Sequence, residues 1–179
     1  MTVQTHPRPS GINWRLVGWG GAAALLALPF VAMQFTTEVN WTASDFVVMG
    51  LLIGTIGLGL EFLLRKASNT TYRLAAAITL GTAFLTIWVN LAVGMIGSED
   101  NPYNLLFVGV LFVALIGAIL TRFSSSGMAR TTVVAAAIQL AVGAFGYAVD
   151  PRGAVFSMLF ALPWLLAAAL YRSAGDIGK

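Results

Sequence analysis

The residue with the clearest chemical potential is Glu61, because it is the only ionisable side chain well inside an apolar stretch of the chain. A carboxylate at such a depth is costly, and it either binds a proton or cation or pairs with a basic neighbour. Arg65 follows one helical turn later, and Arg73 is the other candidate partner. Further polar side chains lie in other apolar stretches and, with Glu61, define a candidate polar seam: Thr79, Thr86, Asn90 and Gln139.

These polar residues recur at helical spacing together with small residues, which predicts one small and polar stripe on each of three helices. Small residues let transmembrane helices approach closely, so we expect the three stripes to face one another. The stripes are Gly50, Gly54, Gly57 and Glu61; Thr79, Ala83, Thr86, Asn90, Gly94 and Gly97; and Thr132, Ala136, Gln139, Gly143, Gly146 and Asp150. The glycines assigned to helix packing are Gly50, Gly54, Gly57, Gly143 and Gly146.

Two functions fit the seam. It either packs helices or forms a path for a proton, cation or small solute. A transporter site gathers its polar groups near one depth. Counted at ~1.5 Å per residue from the basic boundary, Glu61 and Thr79 lie within ~10 Å, whereas Gln139 and Asn90 lie at ~14 Å and ~25 Å. This spread favours packing or a narrow wire over a compact pocket.

A second candidate site is an acidic patch between the third and fourth predicted helices, formed by Glu99, Asp100, Asn101 and Asn104. Its oxygen-rich side chains could hold a hard cation or dock a partner, although the spacing differs from an EF-hand loop. The structural alternative is helix capping, with Asn101 as N-cap and Pro102 at the first helical position. Asp150 and Pro151 repeat this pattern.

Several kinds of chemistry lack the residues they need. The chain has no cysteine, so disulfides and thiolate sites are excluded. The single histidine, His6, lies in the polar N-terminal stretch, which disfavours haem bound between helices. Both lysines, Lys66 and Lys179, lie outside the apolar stretches, so no lysine within them can hold a chromophore as a Schiff base. No acid–base or nucleophile cluster is visible, so we expect a protein that is not an enzyme and has no cofactor and no metal site.

The composition is that of a membrane protein, with 58% hydrophobic and 9% charged residues against about 25% charged in a soluble domain. Charges divide the chain into six apolar stretches, each long enough for the ~20 residues that cross a bilayer. We therefore predict an all-α polytopic protein with six transmembrane helices in three hairpins. The stretches are about 14–34, 45–64, 74–96, 103–121, 131–148 and 153–171. The fourth, almost wholly apolar, is expected to face lipid or another subunit.

Basic residues predict the orientation. Nine of the ten lysines and arginines fall on the side of the N-terminus if six crossings alternate, and only Arg152 lies opposite. The positive-inside rule then places both termini in the cytoplasm. The basic pI of 9.7 reflects this topology and attraction to anionic lipid, with no nucleic-acid partner expected. We predict a flexible tail over 1–13, a single bundle over 14–172 that begins with a retained anchor, and a tail over 173–179.

Residues 90–94 and 97–102, which read NLAVG and GSEDNP, resemble stretches in small uncharacterised bacterial inner-membrane proteins. The resemblance implies a bacterial inner-membrane location and carries no activity. With short loops and few polar groups, the chain is expected to be a non-catalytic accessory or interaction subunit of a membrane complex. Its partners would be the lipid bilayer and another membrane protein or a second copy of itself. The alternative is a small transporter or channel that uses the seam.

Overall fold

In the computed structural model of the chain, residues 13–177 are described. The predicted tail over 1–13 lies outside this range except for Asn13, which caps the first helix by accepting from Leu16 N. At the other end the last helix continues to Asp176. The first part of the predicted tail over 173–179 is therefore helical, and 178 and 179 lie outside the described range.

Every element in the described range is helical, and six segments are long and apolar enough to cross a membrane. Four are single helices, the fourth span joins a short 3-10 helix to α4, and the last is a broken pair, α6 with α7. The helices are α1 Trp14–Ala32, α2 Ala43–Lys66, α3 Thr70–Ala92, α4 Leu105–Leu120, α5 Ser125–Gly146, α6 Pro151–Leu159 and α7 Ala161–Asp176. The predicted count of six apolar spans is confirmed.

Local capping chemistry sets several helix starts. Asn101 accepts a hydrogen bond from Tyr103 N, and Pro102 begins a short 3-10 helix, Pro102–Asn104, that leads directly into α4. Asp150 caps α6 by accepting from Arg152 N at 3.1 Å. Both predicted cap-and-proline starts are therefore confirmed, because the Asx side chain satisfies an N–H group that the helix leaves unpaired.

The stripe predicted on the third helix is wrong beyond Asn90. α3 ends at Ala92, and Gly94 and Gly97 lie in the following loop with φ of +74° and +73°. Gly94 N donates to the carbonyl of Val89 at 3.0 Å, the bond of a helix ending in which glycine takes the left-handed conformation. A glycine at helical spacing can therefore end the helix instead of packing it.

The last span is interrupted at Phe160, between α6 and α7. Pro163 explains the break, since it lacks an N–H group and its ring clashes with the carbonyl four residues earlier. Phe160 N donates to the carbonyl of Ser157 at 3.1 Å, in place of a regular helical bond. The break leaves backbone carbonyls in the middle of a span, where they need another donor.

The chain divides into two compact units, with the boundary between Gly57 and Leu58 inside α2. In the first unit, α1 packs on the early part of α2: a Cβ added at Gly57 would lie 2.9 Å from Trp19 Cη2. No residue of the membrane-spanning stretch of α1 is buried. The predicted single bundle over 14–172 stays a prediction.

In the second unit both α3 and α5 pack on α7, and α5 packs on α4 and α6 as well. Tyr72 of α3 and Tyr171 of α7 meet edge to face, with ring centroids 5.0 Å apart. Trp164 of α7 is fully buried among alanines, including Ala135 and Ala136 of α5. The core is thus built from large aromatic side chains of α7 set against small residues of its neighbours.

Candidate functional site

The threonines of the polar seam are bonded to their own helix. Thr79 Oγ1 donates to the carbonyl of Ala75 at 2.9 Å, and Thr86 Oγ1 donates to that of Thr82 at 2.8 Å. Thr82, between them on the same face, donates to Ile78 at 2.7 Å. All three side chains are buried. Their hydroxyl protons are therefore used within α3, which makes the stripe compatible with a packed interior.

The stripe of α5 is buried throughout, from Thr132 to Gly146, but its neighbours are not those expected from the sequence. α3 and α5 each pack on α7, and α5 also packs on α4 and α6. The predicted direct packing of the stripes of α3 and α5 is thus replaced by packing on α7. The reason is that α7 carries bulky side chains that fill the space above small residues on both helices.

Gln139 reaches the broken sixth span. Its Nε2 donates to the carbonyl of Ser157 at 2.9 Å, three residues before the break at Phe160. Gln139 is fully buried, and the carbonyl of Ser157 therefore accepts two hydrogen bonds, one from Gln139 Nε2 and one from Phe160 N at the helix break. Gln139, which the sequence analysis placed on a possible solute path, therefore also has a structural role.

Three buried polar atoms have no hydrogen-bond partner among the described residues: Asn90 Oδ1, Gln139 Oε1 and Trp164 Nε1. Asn90 uses only its Nδ2, which donates to the carbonyl of Thr86 at 2.6 Å. An unpaired polar atom in a dry interior costs about 1–3 kcal/mol unless a water or solute satisfies it. These atoms are the part of the seam that packing does not account for.

Glu61 pairs with Arg65, as one of the two sequence alternatives expected. Arg65 Nη2 lies 3.6 Å from Glu61 Oε2, and the Glu61 side chain is 19% exposed while that of Arg65 is 74% exposed. One partner is thus in solvent or headgroup surroundings, so the pair contributes about 1 kcal/mol or less. This geometry favours a structural role, in which the pair orders the end of α2, over the binding of an ion within the membrane.

The five packing glycines differ in their surroundings. A Cβ at Gly143 would lie 2.5 Å from Met158 Cγ, and one at Gly146 would lie 2.8 Å from Ile96 Cδ1. Gly57 makes a similar close approach, and Gly50 is 3.6 Å from Leu26 Cδ2 by the same measure. At Gly54 a Cβ would meet no described atom within 4 Å. The packing role assigned to Gly54 therefore gains no support from its own unit and stays a prediction.

Asn104 is the centre of the loop that follows α3. Its Oδ1 accepts from Met95 N and Ile96 N at 3.1 and 2.9 Å, and its Nδ2 donates to the carbonyls of Ile96 and Ser98 at 3.3 and 2.7 Å. The side chain is 6% exposed. Because the amide is fully used by backbone groups, it holds the loop closed and is not presented to a cation.

The other three residues of the acidic patch have two different roles. Asn101 is the N-cap described above, whereas Glu99 and Asp100 are exposed to solvent. Among the described residues, no group of three or more His, Cys, Asp or Glu side chains is placed to hold a metal ion. The patch therefore combines two structural asparagines with two exposed carboxylates, which can make only a weak electrostatic surface.

Asp150 connects two loops that are far apart in sequence. Its Oδ2 accepts from Gly97 N at 3.0 Å, joining the loop after α3 to the start of α6. The backbone N–H of Gly153, followed by that of Gly97, holds the pKa of Asp150 below its usual value, with a smaller contribution from Arg152. The sequence analysis identified Asp150 as a cap and as the last member of the α5 stripe, but α5 ends at Gly146 and Asp150 lies beyond it. The sequence gives no sign that Gly97, in its left-handed conformation, presents its N–H to Asp150.

This linkage predicts how stability depends on pH. Since the pKa of Asp150 is lowered by folding, its stabilising effect is present above the pKa of an unfolded aspartate and is lost as pH falls through the folded pKa. We expect the melting temperature in detergent to fall on acidification through this window. The Asp150→Asn variant should show a smaller fall over the same window, and identical acid limbs for both proteins would contradict the linkage.

The aromatic residues of α7 were not predicted as organising residues. The Tyr171 hydroxyl lies 3.4 Å from Thr79 Oγ1, and Tyr72 of α3, which packs on Tyr171, donates from its OH to the carbonyl of Phe123 at 2.7 Å. No sequence signal separates these tyrosines from the interfacial aromatics common in membrane proteins.

Comparison with known families, curated proteins and solved structures finds no match to this chain. The resemblance of residues 90–102 to bacterial inner-membrane proteins stays a prediction.

Proposed function

We propose that this chain is a non-catalytic integral membrane protein that acts as an accessory or interaction subunit of a membrane complex. The observation that carries the proposal is on α1. Within its unit, a Cβ added at Gly18 or Gly21 would meet no described atom within 4 Å. Glycines one turn apart on a transmembrane helix form a surface for close helix approach. We call Gly18 and Gly21 the open glycine face.

The hydrogen bonds of the second unit support the same proposal. The hydroxyl protons of Thr79 and Thr86, both seam residues, are donated to carbonyls of α3, and Gln139 Nε2 donates to a carbonyl of α6. Groups used in this way stabilise the fold instead of coordinating a substrate. A subunit that contributes helix surfaces needs no further chemistry from these residues.

The proposed location is a bacterial inner membrane with both termini in the cytoplasm. Basic residues end α2 and follow α4, whereas acidic residues occur in the loop after α3 and before α6, which supports the assignment by the positive-inside rule. Because the chain has no cysteine, single cysteines at Ser126 and Ser98 can be labelled from one side at a time. Labelling of Ser98→Cys only from the cytoplasmic side would reject the orientation.

The subunit proposal is tested by native mass spectrometry of the protein extracted gently from its own membrane. We expect a reproducible complex with a second polypeptide. The double variant Gly18→Leu/Gly21→Leu should release the partner, because two leucines prevent the close approach that glycines permit. The matched control is Ala23→Leu/Ala27→Leu, which adds leucines to the opposite, exposed face of the same helix.

The possible outcomes separate clearly. Loss of the partner in the glycine variant with retention in the alanine control would support the open glycine face as the contact. Recovery of the wild-type protein only as a monomer or homo-oligomer would contradict the subunit proposal. Equal retention of the partner in both variants would move the contact away from α1.

Transport of a proton, cation or small solute is the second candidate function, and the unpaired atoms of Asn90 and Gln139 favour it. A buried acceptor without a protein donor is a place where a water or a passing solute can bind. The two atoms belong to different helices, α3 and α5, so a chain of waters would be needed to connect them. The candidate thus predicts measurable proton movement.

For this candidate, proton flux is measured in liposomes that contain a trapped pH dye. Asn90→Ala and Glu61→Gln should abolish flux if the seam conducts. Thr82→Val is the matched control, because it removes a buried hydroxyl from α3 that is already bonded to its own helix. Wild-type flux equal to that of empty liposomes, or flux unchanged by Asn90→Ala, would reject transport along the seam.

A further inference from the structure

A groove runs between α5 and α7 in the second unit, at the end where α5 begins and α7 finishes. Its volume is about 1050 Å³, which is large enough for part of a lipid molecule. The residues that matter for its chemistry line one polar end and one apolar wall. They are Ser125, Arg130 and Arg172 at the polar end and Val133, Val134 and Leu165 along the wall.

The polar end has a net positive charge. Arg130 and Arg172 both line it, and Asp176 lines the same end, so the formal charge of this group is plus one. The N-terminus of α5 and the C-terminus of α7 lie here together, so the positive end of one helix dipole and the negative end of the other largely cancel. The two arginines therefore determine the sign of the net charge at this end of the groove. A guanidinium presents several N–H donors in a planar fork that suits phosphate oxygens.

The wall of the groove consists of apolar side chains that remain open to the surroundings. Val133 and Val134 are each 47% exposed and Leu165 is 42% exposed. They belong to membrane-spanning helices, so the surroundings at this level are lipid chains. Arg130 precedes Val133 and Val134 by about one helical turn, which places the charged end at the membrane surface and the wall deeper.

We propose that this groove binds an anionic phospholipid, with its phosphate between Arg130 and Arg172 and an acyl chain along the wall formed by Val133, Val134 and Leu165. The positive end matches the headgroup and the apolar wall matches the chain. Basic pockets between transmembrane helices on the cytoplasmic side are known to hold acidic lipid headgroups. The inference is independent of whether the protein is a subunit or a transporter.

The test is a titration of the purified full-length protein in detergent with phosphatidylglycerol, followed by native mass spectrometry. Phosphatidylcholine with the same acyl chains is the neutral-headgroup comparison. We expect phosphatidylglycerol to bind more tightly. The Arg130→Gln/Arg172→Gln variant should bind it about 30-fold more weakly, since each basic residue near an anionic headgroup contributes a factor of about five.

The control for charge is Arg73→Gln/Arg122→Gln, which removes two arginines from the same side of the protein but from outside the groove. An equal loss of binding in this variant would show a general surface attraction and overturn the site. The control for the wall is Ala169→Phe, which fills the groove, compared with Ala77→Phe on an exposed position of α3. Ala169→Phe should weaken phosphatidylglycerol binding, whereas Ala77→Phe should not.

Inorganic phosphate separates a lipid site from a simple anion site. We expect inorganic phosphate to compete poorly, because it cannot use the apolar wall. Binding of phosphate as tight as that of phosphatidylglycerol, unaffected by Ala169→Phe, would overturn the assignment to lipid. Equal binding of phosphatidylcholine and phosphatidylglycerol would overturn the role of the two arginines.

Discussion

Gly143→Leu is expected to destabilise the second unit severely, by about 3 kcal/mol or more, because α5 approaches α6 too closely there for any side chain. An added Cβ would lie 2.5 Å from Met158 Cγ and 2.8 Å from Ser157 Oγ. It would also lie 3.3 Å from the backbone carbonyl of Ala154, so rotation of the methionine alone does not make room. The free energy of unfolding should be measured by titration with sodium dodecyl sulfate.

Gly109→Leu is the matched control for this prediction. Gly109 is also within a spanning helix, α4, but a Cβ there meets no described atom within 4 Å. Since leucine has a higher helix propensity than glycine, by up to about 1 kcal/mol, this variant should unfold at the same or a higher detergent concentration. A Gly143→Leu protein as stable as the Gly109→Leu protein would contradict the packing of α5 on α6.

Asn104→Ala is expected to have a comparable effect, about 2–5 kcal/mol, through lost hydrogen bonds instead of overpacking. The truncation removes the acceptor for Met95 N and Ile96 N, both of which belong to fully buried residues. It also removes the donor for two carbonyls. The loop would lose its closure, and the melting temperature followed by tryptophan fluorescence should fall accordingly.

Asn101→Ala provides the comparison in the same loop, since it removes a single capping bond to Tyr103 N and should cost about 1 kcal/mol. Asn104→Asp should be intermediate, because a carboxylate still accepts from the two N–H groups but faces the carbonyls that the amide satisfied. If Asn104→Ala were no more harmful than Asn101→Ala, the central role of Asn104 in the loop would be refuted. Addition of divalent cations is expected to leave both melting temperatures unchanged.

The apolar spans and the helix starts at Asn101 and Asp150 are predictable because they depend on neighbouring residues. A run of about twenty apolar residues is sufficient to cross a bilayer whatever it packs against. An Asx side chain caps the helix that follows it within three residues. The burial of the α5 stripe is predictable for the same reason, since helical spacing alone places its members on one face.

Gly94 shows where helical spacing misleads, and Gly54 shows where it leaves the role of a glycine open. Both lie on predicted stripes, yet Gly94 ends α3 with positive φ, and Gly54 has no described atom near its Cβ position. Glycine satisfies several structural requirements, including left-handed turns and close packing, and periodicity does not separate them. The neighbouring chain decides which requirement applies.

Asn104 and Gln139 show a similar ambiguity for amides. From sequence, each fits a ligand site as well as a structural bond, because an amide donates and accepts in both cases. The structure assigns Asn104 to a loop eight and nine residues away and Gln139 to the carbonyl of Ser157 beside a broken helix. That break lies in another span, and the sequence around Gln139 contains no sign of it.

The sequence by itself determined the apolar spans, the capped starts and the buried faces, since each follows from residues within a few turns of one another. Only the tertiary structure decided that α3 and α5 meet on α7, that Asp150 joins a loop 53 residues away, and that Arg130 and Arg172 share one groove. The physical reason is that helix partners are selected by the combined fit of side chains from distant segments. Small and polar residues fit many partners before the chain folds.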